Sequence, residues 1–244
     1  MIYSATKGQT TYGEYIGIML MDIFMPFPPG CPANASTFSF PVKYKVVKGA
    51  NMERLVYQKE MDLLQPFIDA GWDLVHEGVK AITGNCGFMI LFQDDLAKEL
   101  PVPVFMSSLL QLQFISRMLK PKEKIGIITT HSNKLTPEML EAATGGASIP
   151  IKVAGMEDQK HFVEVVHHEK GEMDFEKIQA EVVEVAINLV ENDDTVKAIL
   201  LECTDLPPFA AAIQKEINLP IFDYTTMVNF VFSALARTKF NGLF

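Results

Sequence analysis

Cysteine, arginine and tryptophan are scarce in this chain. Its 244 residues include three cysteines (Cys31, Cys86 and Cys203), three arginines (Arg54, Arg117 and Arg237) and one tryptophan. Three widely spaced cysteines make neither a disulfide framework nor a zinc knuckle. No apolar run reaches the roughly 18 residues of a membrane span, and the start, MIYSATKGQTTYGEY, lacks the basic and apolar regions of a secretory signal. A cytoplasmic protein without a membrane partner is expected. There is no low-complexity segment or long run of like charge, and a formal net charge of -9 offers no electrostatic footprint for nucleic acid. His131, His161, His167 and His168 follow no common metal-ligand spacing, so no metal is expected. The last three read as solvated positions, whereas His131 follows Thr129-Thr130 at a strand end.

What is present is an internal repeat. Residues 79–108 (VKAITGNCGFMILFQDDLAKELPVPVFMSS) align without a gap on 196–225 (VKAILLECTDLPPFAAAIQKEINLPIFDYT), which sets Cys86 over Cys203. Val79/Val196, Lys80/Lys197, Ala81/Ala198, Ile82/Ile199, Phe92/Phe209, Lys98/Lys215, Glu99/Glu216, Pro103/Pro220 and Phe105/Phe222 are shared. The chain reads as a duplication with one cysteine per half.

Each half opens on a buried strand, 15–22 (YIGIMLMD) and 124–130 (KIGIITT), with a shared Ile-Gly-Ile start. Second strands are expected at 42–47 and 149–153, and helices at 52–70 and 174–192. The repeated units supply a strand (79–83; 196–201), the cysteine turn, a helix (88–100; 207–217) and a short strand (102–106; 220–223). Continuous apolar strands alternating with helices predict parallel sheets covered on both faces. The expected fold is α/β, with two pseudo-symmetric lobes and the active site in the cleft between them. Lobe 1 spans 1–119 and lobe 2 spans 120–223, with a C-terminal helix within 224–244 packing back on lobe 1. The Pro-rich segment 25–36 (MPFPPGCPANAS) is a loop at the carboxyl end of the first strand, where open α/β sheets bind ligands.

Both repeated cysteines lie between a buried strand and a helix, with Asp205 as the expected N-cap and Pro207 in the first turn. A free thiol of pKa ~8.5 is only about 3% thiolate at neutral pH, and the amides of a helix start favour the anion. One thiolate and one thiol facing a substrate from opposite sides can take a proton from one face of a carbon and return it to the other. Such chemistry needs no cofactor. Amide donors around the substrate carboxylate would carry the developing charge. Two small buried residues packing strand ends are the bland alternative for the pair, and Cys31, in the first-strand loop, reads either as a thiol approaching the site or as an incidental one.

The segments CTDLP (203–207) and TGNCGF (83–88) resemble the two cysteine motifs of the aspartate/glutamate racemase superfamily. The resemblance covers most of the chain. It implies Cys86 and Cys203 as the acid/base pair of a cofactor-independent isomerase, a racemase or epimerase of an amino acid or related small carboxylate, often homodimeric. It further implies that Asn85, Gly87 and Thr204 contact substrate, with Thr130, Ser107 and Asp22 lining the crevice. Arg54 follows the second strand, near where aspartate racemases of this superfamily hold a second carboxylate, although a surface position explains it as well. The superfamily also contains hydantoin racemases, maleate isomerases and arylmalonate decarboxylases, so a cis-trans isomerase or decarboxylase of a small dicarboxylic acid is the alternative, followed by a non-catalytic metabolite-binding protein. Two departures stand out. Cys86 is followed by Gly87 rather than by Asn-Thr, and Glu202 occupies the usual glycine position before Cys203. A carboxylate there raises the thiol pKa unless it points away.

Overall fold

The computed structural model describes residue 2 and residues 7–242. Residues 1 and 3–6 of the expected lobe 1 and the last two of the expected C-terminal segment lie outside the described residues.

The first half forms strands β1 (Ile16–Met21), β2 (Val42–Val47) and β3 (Ala81–Gly84) in the order β2-β1-β3. The second forms β4 (Lys124–Thr129), β5 (Ile151–Gly155), β6 (Val196–Leu201) and β7 (Ile221–Phe222) in the order β5-β4-β6-β7. All pairings are parallel. The duplication extends to register, because the parallel bridge Ile82↔Val104 has its repeat counterpart in Ile199↔Ile221. In the first half that bridge replaces the strand expected at 102–106. Pro101 and Pro103 remove two backbone donors there, and a strand cannot propagate through them.

In the first half, α1 (Leu64–His76) precedes β3, and α2 (Gln93–Glu99) and α3 (Leu112–Ser116) follow it. In the second, α4 (Pro137–Thr144), α5 (Lys160–Phe162), α6 (Phe175–Glu191) and α7 (Ala210–Ile217) surround the sheet, and α8 (Tyr224–Leu235) closes the chain. α6 matches its expectation closely: Asp174 accepts from the Lys177 amide as its N-cap, and Ile178, Val182, Ala186 and Leu189 form its buried stripe. The helix expected over 52–70 is instead broken. A π-helical segment, Met52–Gln58, ends at Lys59 in the left-handed region (φ 54°), and α1 then starts two residues before Pro66, whose missing N–H is harmless only in a first turn. The counterpart after β5 is also π-helical, Val163–His167.

One apolar cluster joins the two sheets. It packs Met19, Phe67, Phe88, Phe92 and Met106 with Ile125, Ile127, Ala198 and Leu200. α8 is fixed by a capping box between Asp223 and Thr226, and Tyr224, Met227 and Val228 pack against Ile16, Ile18 and Ala81 of the first sheet. The Tyr224 hydroxyl donates to Thr83 Oγ1 (2.7 Å), and Thr83 donates to the Phe105 carbonyl (2.6 Å). These contacts anchor the strand that delivers Cys86.

Candidate active site

The carboxyl ends of β3 and β6 bring both cysteine turns to one cavity of about 20 Å³. Its walls include Cys86, Cys203, Asn85, Glu202, Thr204 and Asp205, and no lysine or arginine is among them. Such a volume holds about one water. Met52 and Val56 of one π-helical segment and Val166 of the other cover it. π-Helical turns concentrate at functional sites, and here the two halves each contribute one.

Cys86 precedes the 3-10 turn Gly87–Phe92, and the Phe88 and Met89 amides donate toward its sulfur, as the sequence predicts for a helix start. The Asp205 amide does the same for Cys203. These donors do not prevail. Burial, with Glu202 and Asp205 adding for Cys86 and Asp205 and Glu202 adding for Cys203, pushes both thiols above their ordinary range. The lowered thiol pKa expected from the helix start is therefore corrected: the thiol form is favoured at rest. Cys203 is also raised by the nearby charge of Cys86, so the two sulfurs sense each other.

Asp205 does not act as the expected N-cap. Leu206 holds that position, without a side-chain bond, before the turn Pro207–Phe209. The Asp205 carboxylate instead accepts from two thiols, Cys31 at 3.8 Å and Cys203 at 3.7 Å. Burial pushes its pKa to about 6. Cys31 reaches this point because Gly30, at φ +108°, lies flat on Pro208, where a Cβ would collide with backbone. Tyr44 and Thr37 pin the same loop through the Pro32 and Cys31 carbonyls.

Glu202 is fully buried. Its Oε2 accepts from Thr129 Oγ1 (2.7 Å) and the Thr130 amide also favours its anion, whereas its Oε1 has no hydrogen-bond partner. Burial outweighs these donors and pushes its pKa to about 7. Oε1 occupies the space of the side chain that Gly87 lacks.

Asn85 and Thr204 join the two turns. Thr204 Oγ1 donates to the Asn85 carbonyl, and Asn85 Oδ1 accepts from the Met21 amide (2.8 Å). Thr130 lines the cavity, with its Oγ1 2.8 Å from His167 Nε2. His167 Nδ1 is 2.9 Å from the Tyr57 hydroxyl, so the ring links the two covering segments. His167 is thus no solvated residue, and burial followed by the charge of His131 holds its pKa down. His131 stacks on His167 with ring centroids 6.2 Å apart and stays outside the cavity.

Three expected residues lie elsewhere. Arg54 pairs with Glu60 (2.5 Å) and Asp62 (2.8 Å), spending its guanidinium on the turn that follows its own π-helical segment. Asp22 is exposed and accepts from the Gly49 amide (3.3 Å). Ser107 accepts from the Leu109 amide (3.2 Å) as the N-cap of a 3-10 turn. Glu202 and Asp205 acquire roles that local sequence did not indicate, and only the departure from glycine at 202 marked the first of them. Nothing in the sequence paired Tyr57 with His167, which are 110 residues apart. Among the described residues, no three His, Cys, Asp or Glu side chains converge as metal ligands. No helix among them is long and apolar enough to cross a membrane.

Several known proteins are similar to this chain. Dimethylsulfoniopropionate lyase 3 of Emiliania huxleyi is 31% identical over 230 residues, which cover 90% of this chain and 59% of that protein. The chain thus spans little more than half the length of that relative. A dimethylsulfoniopropionate lyase of Durusdinium sp. clade D is 29% identical over 221 residues, covering 88% of this chain and 73% of that protein. Among solved structures, the glutamate racemase isoform RacE1 of Bacillus anthracis superposes with a TM-score of 0.58 at 17% identity, covering 91% of this chain and 81% of that one. That likeness establishes the fold. Residues 53–228 match the family described as Asp/Glu/Hydantoin racemase, and with its duplicated parallel sheets and paired cysteine turns the chain belongs to that family.

Proposed function

We propose that this chain is a lyase that removes a proton beside a carboxylate and expels a leaving group from the next carbon, with dimethylsulfoniopropionate as substrate. The observation that carries the reading is the convergence of Cys86 and Cys203 on one small cavity. The similarity of most of the chain to dimethylsulfoniopropionate lyases supports elimination as the reaction. The engagement of Arg54 by Glu60 and Asp62 supports it too, because no guanidinium is left at the cavity for the second carboxylate of aspartate or glutamate.

One cysteine, as thiolate, takes the proton from the carbon next to the carboxylate. The C–H electron pair forms the new double bond, and the carbon–sulfur bond breaks with its electrons on sulfur. Acrylate and dimethyl sulfide leave, and the thiol returns its proton to water. In this reading the Asn85 amide NH2 donates to the substrate carboxylate and offsets its developing negative charge. Closure of Met52, Val56 and Val166 over the site keeps water from the carbanion-like state.

Incubation with dimethylsulfoniopropionate should release dimethyl sulfide and acrylate in equal amounts, measured by gas chromatography of the headspace and liquid chromatography of the solution. Absence of both products from folded, reduced protein would contradict the reading. The equivalence of the two thiols favours a second reading, two-base racemisation at a carbon beside a carboxylate. That reaction exchanges the substrate α-hydrogen with heavy water, inverts the centre and releases no alkene.

A further inference from the structure

We propose that Glu202 is a specificity-determining residue, whose free Oε1 receives the cationic end of a zwitterionic substrate in the cavity that holds Cys86 and Cys203. The inference rests on the lyase reading for the reaction, and it concerns which substrates the site accepts.

A buried carboxylate oxygen without a partner is costly, and a folded chain rarely leaves one in place unless something else pairs with it. Glu202 is fully buried, its Oε2 is occupied by Thr129, and its Oε1 is unpartnered. It shares the cavity wall with Asp205, and no lysine or arginine lines that wall. A dicarboxylate would meet two acidic side chains there and no cation. A sulfonium or quaternary ammonium group has no N–H to donate and needs only a negative partner within a few ångströms in an apolar enclosure. Met21, Ile23, Met52, Val56 and Phe88 provide that enclosure. Gly87 completes the arrangement, because any side chain at 87 would displace the Glu202 carboxylate.

Two ligands of one shape isolate the charge. 3-(Trimethylammonio)propanoate carries the onium cation, and 4,4-dimethylpentanoate replaces it with a neutral tert-butyl group. The wild-type protein should bind the cationic ligand at least about 10-fold tighter, as expected when a buried charge gains a partner. In Glu202→Gln, which keeps the shape and the Thr129 contact, the preference should fall to about 2-fold or less. Equal affinities in the wild type, or a preference retained in Glu202→Gln, would overturn the proposal.

A measurement on the wild type alone guards against a poorly folded variant. Affinity for the cationic ligand should rise as pH passes from about 6 to 8, while affinity for the neutral ligand should not. The other titratable groups facing Glu202 are Asp205, Cys86 and Cys203, with His167 beyond Thr130. Asp205→Asn separates the contribution of the second carboxylate. A flat profile for the cationic ligand would count against Glu202. Turnover assays keep the two ideas apart: elimination without charge preference defeats the role of Glu202 alone, whereas charge preference without elimination defeats the lyase reading alone.

Discussion

The carboxylate of Glu202 fills the place where Gly87 lacks a side chain, so one residue from each cysteine turn makes room for the other. Gly87 has an ordinary backbone conformation, and its requirement is space rather than a positive φ. Gly87→Ala should therefore overpack the floor of the site and cost about 1–3 kcal/mol in urea denaturation. Adding Glu202→Gly should recover part of that loss, because the new Cβ would still lie 2.7 Å from the Glu202 carbonyl oxygen. A double variant no more stable than Gly87→Ala would break the link between the two positions.

Burial holds Glu202 near 7 instead of 4.5 and Asp205 near 6 instead of 3.8. A carboxyl group with a raised folded pKa contributes its full stability below the unfolded value, and that contribution is lost as pH rises through the folded value. The protein should be more stable at pH 5 than at pH 8, with Glu202 accounting for about 3 kcal/mol across the window from 4.5 to 7. Denaturation of Glu202→Gln should show a shallower pH dependence and higher stability at pH 8. An unchanged slope would mean that Glu202 titrates normally.

The same charge pushes up both cysteines. Elimination by the wild type should accelerate as pH rises toward the thiol pKa. In Glu202→Gln the rising limb should move to lower pH, whatever happens to substrate affinity. A rising limb at the same pH in both proteins would show that Glu202 does not act on the thiols.

Much of this architecture was legible from residues 79–108 and 196–225, because the repeat fixes strand, turn and helix together and buried parallel strands are continuous apolar runs. Strand bounds at Val42–Val47 and Val196–Leu201 and the helix over 174–192 are local signals and fall close to where expected. The misreadings have local causes as well. Arg54 follows the second strand, where the resemblance implies a substrate contact, but Glu60 and Asp62 in the next turn take its charge first. Asp205 has the composition of a cap, yet the neighbouring Cys203 thiol and the distant Cys31 thiol claim its carboxylate. The π-helical covers depend on a 110-residue contact between Tyr57 and His167, which no periodicity encodes.

That contact predicts a dynamic effect. Substrate entry requires parting Met52 and Val56 from Val166, because the enclosed space is far smaller than any three-carbon zwitterion. Tyr57→Phe removes the hydroxyl that faces His167 Nδ1 and should raise amide hydrogen exchange in both 52–58 and 163–167. Faster exchange in neither segment would mean that apolar packing alone keeps the site covered.

Thr204 offers a test of how the halves are held together at the site. Thr204→Val leaves the buried Asn85 carbonyl without its hydroxyl donor, which should cost about 1–3 kcal/mol and lower kcat more than it raises KM. Unaltered stability and kcat would deny the hydroxyl any part in aligning the two turns.

The most direct test of the central claim is proton NMR of dimethylsulfoniopropionate turnover by the wild type, Cys86→Ser and Cys203→Ser. The account predicts vinyl resonances of acrylate from the wild type, a loss of at least about 100-fold when the cysteine acting as base is replaced, and a smaller but clear loss for the other. Full turnover by both variants, or no vinyl signal from the folded wild type, would contradict it.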